Sequence, residues 1–378
     1  MSARRFTRTP RRGSTLPVVA VLLALLVGMT AFAVDIGYIA AKRTDLQRTA
    51  DSAALTGAAE LAPQPGVGAD PAAVRVEVRR FANLNEPLSV PDGDVVIGRY
   101  DPAAAGPTFT TDYGGWPANA VKVTLRRDSR ANGPLNLFFA PVIGRRSADV
   151  RASAVATVQS GYGVRPGIEL LPYVIHVDYF HSAIGPVRPG VDTSRLTDRY
   201  SVGSGRTVGP GSDGVKEVVL FGSDKKPPGN FGSIDVGSDS NGTPELVRQI
   251  LYGPTAADFA HKNFASKVTG GVLYAPNTFG GDPGISAGVE SAFESIVGLR
   301  RIVLLYSQVT GTGNNTVYTV TEFAGVTVVA VDLRGNPKSV VVQPTGFFTP
   351  NVEPSPPPSG TAAPMVGVYT PPRLVIPR

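Results

Sequence analysis

The sequence contains no cysteine, and it has only three histidines and one tryptophan among 378 residues. The lack of cysteine excludes disulfide bonds and thiolate metal sites, so any exported part of the chain must be held together by its hydrophobic cores. No glycine is followed directly by lysine, which excludes the phosphate-binding P-loop motif. We therefore expect neither a metal ion nor another cofactor.

The excess of positive charge is confined to the N-terminus. The formal net charge is +6, from 36 basic and 30 acidic residues. Five arginines crowd the beginning of the chain, namely Arg4, Arg5, Arg8, Arg11 and Arg12. Setting these and Asp35 aside leaves 31 basic and 29 acidic residues. The remainder is nearly neutral, which argues against nucleic acid as a partner.

A long uncharged run follows these arginines. The twenty residues from Thr15 to Val34 carry no ionisable side chain, and twenty residues of helix cross one bilayer. Basic flanks stay on the cytoplasmic side, so the N-terminus is expected inside and the rest of the chain outside. Residues 1–14 are then a basic cytoplasmic leader.

Two interpretations compete for the end of this run. Ala31-Phe32-Ala33 is a small-x-small site of the kind that signal peptidase cuts, which would release the chain. Against cleavage, a helical apolar stripe continues past Asp35, through Ile36, Ile39, Leu46, Ala50, Ala53 and Gly57. The first helix breaker is Pro63. We favour one uncut helix over residues 15–62. The alternative is a secreted structural or binding protein, released by cleavage after Ala33.

The stretch from Gly13 to Leu61 resembles the N-terminal segment of TadG-like (TadE/TadG) proteins of the tight-adherence, or Flp, pilus assembly system. The resemblance rests on Gly-Ser before the apolar run, Ala-Val-Asp-Ile-Gly-Tyr at its exit, and Leu-Gln-x-x-Ala-Asp-Ser-Ala-Ala-Leu beyond. It continues more weakly through ANAVKVTLRR, LNLFFAPVIG and VRASAVATV to about residue 158, and the remainder looks like the long C-terminal region of some relatives. It implies a pilin-like or assembly accessory protein of the bacterial inner membrane, without enzymatic activity.

The sequence departs from the pilin pattern at one position. Pilin-type leaders are cut after a glycine, which makes Gly13 and Ser14 the candidate processing site. The fifth residue of such a product is usually glutamate, but here it is Val18. A new α-amino group in the bilayer would then have no carboxylate partner, which is costly. Either Gly13 is not processed or the chain is not a stacked major subunit.

Small residues recur within the apolar run at every fourth position. Ala20, Ala24 and Gly28 would let a second helix approach closely, and they are the candidate helix-packing residues. The alternative is that alanine and glycine are simply common in membrane helices.

Beyond the long helix, the patterns predict an α+β fold in two parts. Residues 63–160 read as a pilin-like domain with a small antiparallel sheet. Asp70 caps a helix that ends near Asn85, and strands follow at Val95 to Tyr100, Ala120 to Leu125 and Asp149 to Val158.

Residues 161–349 read as a second, β-rich α+β domain. Its predicted elements are a strand at Leu170 to Phe180, short helices beginning near Thr243 and Ser286, and a meander over Arg301 to Gln308, Thr316 to Phe323, Val326 to Leu333 and Ser339 to Gln343. An Ala-Gly turn is expected at residues 324–325. Residues 350–378 form a proline-rich tail, in which Arg373 to Ile376 is a further edge strand.

Two motifs suggest chemistry. Gly284 to Gly288 reads G-x-S-x-G, the nucleophile elbow of serine hydrolases, but glycines and a proline precede Ser286 in place of an evident strand, and no histidine follows residue 261. An envelope serine hydrolase is therefore the minor alternative, and Ser286 is predicted to cap a helix. His176, Asp178 and His181 suggest a metal, but on a strand only the first two share a face, and no fourth ligand is evident.

The sequence thus predicts a membrane-anchored accessory protein of pilus assembly that acts by helix packing and protein contacts. The expected partners are the lipid bilayer and other pilus-assembly proteins or pilins, with no nucleic acid and no small-molecule substrate. No catalytic, cofactor-binding or metal-binding residue is assigned.

Overall fold

The first element of the protein is a single helix of 45 residues, α1 (Leu16–Glu60). The computed structural model describes residues 15–62, 64–66, 68–112, 117–203, 205–221, 232–237, 242–282, 284–335, 338–357 and 362–377. Within α1 no proline interrupts the backbone ladder after the first turn, so the helix continues unbroken past Asp35, as predicted. The predicted stop at Pro63 lies outside the described residues.

The C-terminal half of α1 packs on a small antiparallel sheet. The elements that follow are α2 (Pro71–Asn85), β1 (Val95–Tyr100), β2 (Phe109–Thr110), β3 (Ala120–Arg127), β4 (Leu135–Asn136), β5 (Ser147–Ala148) and β6 (Val150–Thr157). The first sheet has the strand order β2-β1-β3-β6, and β4 and β5 form a separate hairpin. These helices and strands confirm the predicted ones, including the Asp70 cap, whose carboxylate accepts from the amide of Ala72.

The core of this part lies between α1, α2 and the sheet. The buried stripe of α1 consists of Leu46, Thr49, Ala50, Ala53, Ala54, Gly57 and Ala58. Gly57 marks the closest approach, because a Cβ atom at this position would lie 2.6 Å from Cγ2 of Val78 on α2 and 3.3 Å from Cγ1 of Val121 on β3. Small side chains therefore let one helix contact both a second helix and the sheet.

The C-terminal part contains four helices and sixteen strands within the described residues. They are β7 (Gly163–Val164), β8 (Leu170–His176), α3 (Val177–Ile184), β9 (Tyr200–Val202), β10 (Val208–Pro210), β11 (Val218–Phe221), β12 (Gly232–Ile234), α4 (Thr243–Tyr252), α5 (Ala256–Ala260), β13 (Val268–Thr269), β14 (Val272–Tyr274), β15 (Asn277–Asp282), α6 (Glu290–Glu294), β16 (Arg300–Thr310), β17 (Thr316–Asp332), β18 (Ser339–Pro344), β19 (Phe347–Phe348), β20 (Val352–Glu353), β21 (Val368–Tyr369) and β22 (Arg373–Val375).

The second sheet has seven strands in the order β11-β18-β17-β15-β12-β8-β16. Because β17 also pairs with β16, five of these strands close into a ring, and β18 and β11 extend from it. Alternate residues of β16 enter different cores: Ile302 and Leu304 pack with Phe279, whereas Val303 and Leu305 pack with Phe293. This part is α+β and β-rich, as predicted.

The last strand of the chain returns to the first sheet. β22 pairs antiparallel with β6, and Leu374 lies opposite Ala156. This confirms the predicted edge strand at the end of the proline-rich tail. The two parts also touch where the amide of Gly346 donates to the side-chain oxygen of Gln64, at 2.7 Å. The predicted domain limits stay predictions.

The predicted strand at Leu170 to Phe180 is wrong beyond His176. The chain turns there into α3, and the His176 side chain accepts from the amide of Asp178, which begins the helix. Val177 and Phe180 are buried at a spacing that suits a helix as well as a strand, so packing against the second sheet decides between the two. His176 and Asp178 therefore do not share a strand face.

The predicted turn at Ala324-Gly325 is also wrong. β17 continues through both residues, which lie opposite Val303 and Ile302 of β16. A Cβ atom on Gly325 would lie 2.5 Å from the carbonyl oxygen of Thr345. The glycine therefore permits a close approach of backbone and does not mark a turn.

The chain after Ser286 forms a short helix. A 3₁₀ turn, Ala287–Val289, leads into the five-residue α6. Ala292, Phe293 and Ile296 are buried, and the charged side chain of Glu290 is buried with them. Its carboxylate accepts from the amide of Leu333 at 3.0 Å and pairs with Arg334.

Candidate functional site at the exit of the long helix

Residues 16–34 of α1 are almost entirely exposed in the part of the chain that the structure describes. Large apolar side chains are exposed along its whole length, at Leu16, Val18, Val19, Val21, Leu22, Leu23, Leu25, Leu26, Val27, Met29, Phe32, Val34 and Ile36. Among the described residues, α1 is the one helix that is long and apolar enough to cross a membrane. Its uncharged part, at 1.5 Å per residue, spans about 30 Å, which matches the hydrocarbon core of a bilayer.

Asp35 stands one residue after this uncharged run, and it is only 3% exposed. Its carboxylate accepts three backbone hydrogen bonds: from Phe138 at 2.8 Å, from Phe139 at 3.0 Å and from Ala140 at 2.6 Å. Three convergent amides form a binding site for an anion. The negative charge at the helix exit is therefore matched by the backbone of one distant loop.

This loop, residues 137–146, connects β4 and β5, and we refer to it as the hairpin loop. It contains the 3₁₀ turn Ala140–Ile143, which ends at Gly144 with a positive φ of 86°. Because Asp35 binds the amides that begin this turn, it acts as an N-cap contributed by another element. The Phe138 ring packs edge-on against Tyr38, with 5.2 Å between the centroids.

Beyond Asp35, ionic and polar contacts hold α1 to the first sheet. The carboxylate of Glu86, which follows α2, forms ion pairs with Lys42 of α1 at 3.8 Å and with Arg127 of β3 at 3.4 Å. The Gln47 side chain also donates to the carbonyl of Ser153 on β6, at 3.1 Å. Partly exposed pairs of this kind contribute little energy singly, but together they fix the orientation of the helix on the sheet.

A buried charge cluster stabilises the far end of β3. Arg126 pairs with Asp94 and lies 3.4 Å from Asp128, which also accepts from Arg151 at 2.8 Å. Desolvation acts to raise the pKa of Asp128, but hydrogen bonds from the amide of Arg130, from Arg151 and from the following turn outweigh it and lower the pKa. The hydrogen bond to Asp94 raises the pKa of Arg126. Both groups therefore stay charged, and the cluster is structural.

The sequence-predicted site residues occupy the exposed half of α1 or precede it. Gly13 and Ser14 lie outside the described residues. Ala33, the alternative cleavage position, is within the helix, two residues before the buried Asp35. Processing at either position stays a prediction.

The predicted packing residues Ala20, Ala24 and Gly28 all lie within α1. Ala24 and Gly28 line a shallow apolar groove, together with Val21, Leu25, Met29 and Phe32, whereas Ala20 is not part of its lining. A Cβ atom on Gly28 would meet no atom within 4 Å. The surface is open to a second helix, and its use stays a prediction.

Ser286 and His181, from the two motifs that suggested chemistry, make structural contacts. The Ser286 hydroxyl accepts from the amide of Gly288 at 3.1 Å and from the Thr243 hydroxyl at 3.2 Å, so it caps the turn as predicted. The expectation that no strand precedes this serine is wrong, because β15 ends at Asp282. His181 pairs with Glu322 of β17 at 2.8 Å. Among the described residues, no group of three potential ligands could hold a metal ion.

Sequence reasoning missed the contact between Asp35 and the hairpin loop. Each of the two segments carried a signal in the sequence. One is an aspartate at the end of an apolar run, and the other is the apolar stretch LFFAPVI, followed by Gly144 and two arginines. Their separation of 103 residues hid the connection.

Two family models match adjacent segments of the chain. Residues 13–60 match the putative Flp pilus-assembly TadE/G-like family, and residues 56–156 match the putative Tad-like Flp pilus-assembly family. The matched region therefore covers α1, α2 and the strands from β1 to β6, including Asp35 and the hairpin loop. Searches among curated proteins and among solved structures found no significant match.

Proposed function

Through residues 13–156 the chain belongs to the TadG-like family of Flp pilus-assembly proteins, and we propose that α1 anchors it in the bacterial inner membrane as an accessory protein of pilus assembly. In this proposal the chain crosses the membrane once. The arginine-rich leader stays in the cytoplasm, and both sheets lie outside it.

The observation that carries the proposal is the division of α1 into two halves with opposite surroundings. Residues 16–34 expose apolar side chains on every side, whereas the helix from Leu46 onward is buried against α2, β3 and β6. A helix that is apolar all round needs an apolar solvent, and lipid provides one. The continuous backbone through Asp35 joins the anchor rigidly to the first sheet.

The mode of action proposed is contact between proteins. A long helix packed on an antiparallel sheet is a pilin-like arrangement, and the family match favours a structural or assembly role. The groove at Ala24 and Gly28 offers a surface on which the membrane helix of another pilus-assembly protein or a pilin could pack. In this role no cofactor and no small substrate is required.

Release by cleavage after Ala33 is the competing possibility. A protease that cuts there must unwind α1 close to a buried, hydrogen-bonded aspartate. The released product would retain α1 from Val34 and would lose the exposed apolar surface. The hydrolase alternative requires Ser286 to act as a nucleophile, and labelling of folded protein by a fluorophosphonate probe would support it.

Complementation of a deletion strain tests the proposal. Deleting the gene is expected to abolish surface pili, and the full chain is expected to restore them. A matched variant, in which residues 1–33 are replaced by a cleavable secretion signal, keeps the same exported part but has no anchor. We expect this variant to be stable and exported yet inactive. Normal piliation in the deletion strain, or full rescue by the unanchored variant, would contradict the proposed role.

A further inference from the structure

The hairpin loop lies at the level where α1 leaves its uncharged run. Its amides are bound to Asp35, and its Phe138 ring touches Tyr38, one helical turn further along α1. If α1 spans the membrane as proposed above, this level is the outer lipid–water boundary, because Asp35 is the first charge after the apolar residues.

The hairpin loop exposes four large apolar side chains within six residues. Phe138 is 65%, Phe139 46%, Val142 90% and Ile143 71% exposed. Single exposed apolar residues are ordinary, but a contiguous group of this kind marks a contact surface. Because Asp35 binds the loop, this group lies near the level of Val34 and Ile36, which are also exposed, so both surfaces can face the same medium.

Most amides of the hairpin loop are paired within the protein. The amides of Phe138, Phe139 and Ala140 donate to Asp35, and Pro141 has no amide hydrogen. The remaining turn is closed by hydrogen bonds from Leu137 to Arg146, Val142 to Phe139, Gly144 to Pro141 and Arg145 to Ala140. Backbone amides that enter lipid must be paired within the protein, and those from Phe138 to Val142 meet that requirement.

Charge next to the apolar group suits a headgroup layer. Arg145 and Arg146 follow after Gly144 and are exposed, and Arg43 is exposed on the α1 surface. Arginine side chains at this depth can reach lipid phosphates while their stems remain in the apolar region.

We propose that the hairpin loop is a second membrane contact: Phe139, Val142 and Ile143 insert into the outer leaflet beside α1, and Asp35 fixes the loop in that position. The inference rests on the proposed anchor. Two contacts side by side restrict rotation and tilt of the exported part, so the first sheet is presented at a set orientation to the membrane.

Site-specific fluorescence in proteoliposomes tests this contact, because the chain has no cysteine and single cysteines can be introduced freely. Three full-length variants carry an environment-sensitive dye: Val142→Cys in the hairpin loop, Leu22→Cys in α1 and Val76→Cys on α2. Val76 is exposed and neighbours Val78, which faces Gly57, about 33 Å along α1 from Asp35. Quenching is measured with iodide in water and with nitroxide lipids labelled near the headgroup or near the chain end.

We expect the dye at Val142→Cys to be blue-shifted, protected from iodide and quenched most by the shallow nitroxide. The dye at Leu22→Cys should be quenched most by the deep nitroxide, and the dye at Val76→Cys by iodide alone. Iodide quenching at Val142→Cys that equals that at Val76→Cys would overturn the loop contact while the anchor stands. A dye at Val142→Cys that is protected from iodide but untouched by nitroxide lipid would also overturn it, since a protein partner then covers the loop. Aqueous behaviour at Leu22→Cys would overturn both the anchor and the loop contact.

Discussion

The amide of Phe138 donates a 2.8 Å hydrogen bond to the carboxylate of Asp35, and this bond joins the exit of the long helix to a hairpin loop 103 residues later. Asp35 is the only ionisable residue within the stretch from Thr15 to Ala41 apart from Tyr38. Its carboxylate is bound by three backbone amides of the loop. The helix can therefore pass from an apolar medium into the protein core without an unpaired charge at the boundary.

Replacing Asp35 should free the hairpin loop. In Asp35→Ala, three amides lose a charged acceptor, so amide hydrogen exchange at Phe138, Phe139 and Ala140 should become faster by about tenfold or more. Asp45→Asn is the control, because Asp45 is exposed on the same helix and pairs only loosely with Lys42, at 3.8 Å. Unchanged exchange at the three amides in Asp35→Ala would show that Asp35 does not hold the loop.

Gly57 should tolerate no large side chain. Gly57→Leu forces α1 away from Val78 and Val121, and overpacking of this kind costs about 1–3 kcal/mol of unfolding free energy. Gly37→Leu is the matched control: it gives α1 the same gain in helix propensity, and a Cβ atom there meets nothing within 4 Å. Thermal unfolding should show a lower melting temperature for Gly57→Leu and no such decrease for Gly37→Leu. Equal melting temperatures would contradict the packing described.

The end of the chain should stabilise the first sheet. Removing residues 371–378 deletes β22 and leaves β6 as an open edge, so the β6 amides around Ala156 should exchange faster and the protein should aggregate more readily. A shorter truncation of residues 376–378 spares the strand and serves as the control. If the β6 amides exchange at the same rate in both truncated proteins, the pairing of β22 with β6 has no role in stability.

The charge cluster on β3 should make stability depend on pH in the acid range. The pKa of Asp128 is lower in the folded protein than its ordinary value of 3.8. Its contribution is therefore fully present above that value and is lost as the pH falls through the folded pKa. The melting temperature of Asp128→Asn should be lower than that of the wild type near neutral pH. This difference in melting temperature should become smaller as the pH falls below about 4. Asp149→Asn, at an exposed aspartate nearby, should show no such difference. A difference for Asp128→Asn that stays constant with pH would contradict the role of its charge.

The sequence allowed prediction of elements whose signals are local. Helix α1 was predicted because no breaker interrupts its apolar pattern, and α2 because Asp70 and Pro71 begin it. The strands of the first sheet followed from alternation such as Val121 and Val123 against Lys122 and Thr124.

The missed features depend on contacts between distant segments. Val177–Ile184 has apolar spacing that suits either a helix or a strand, and only packing on the second sheet selects the helix. Gly325 has the sequence signal of a turn residue, but the structure requires a glycine there because the backbone of Thr345 lies close to it. The contact between Asp35 and the hairpin loop was missed for the same reason.

The state of the N-terminus in bacteria tests the central claim most directly. The claim is that α1 remains whole and crosses the membrane, so the native protein should be recovered only with detergent, and its N-terminal sequence and intact mass should include residues 15–34. Processing at Gly13 would be compatible with this result, because the product would begin at Ser14 and keep the whole of α1. A mature product that begins at Val34 and leaves the membrane fraction without detergent would contradict the account.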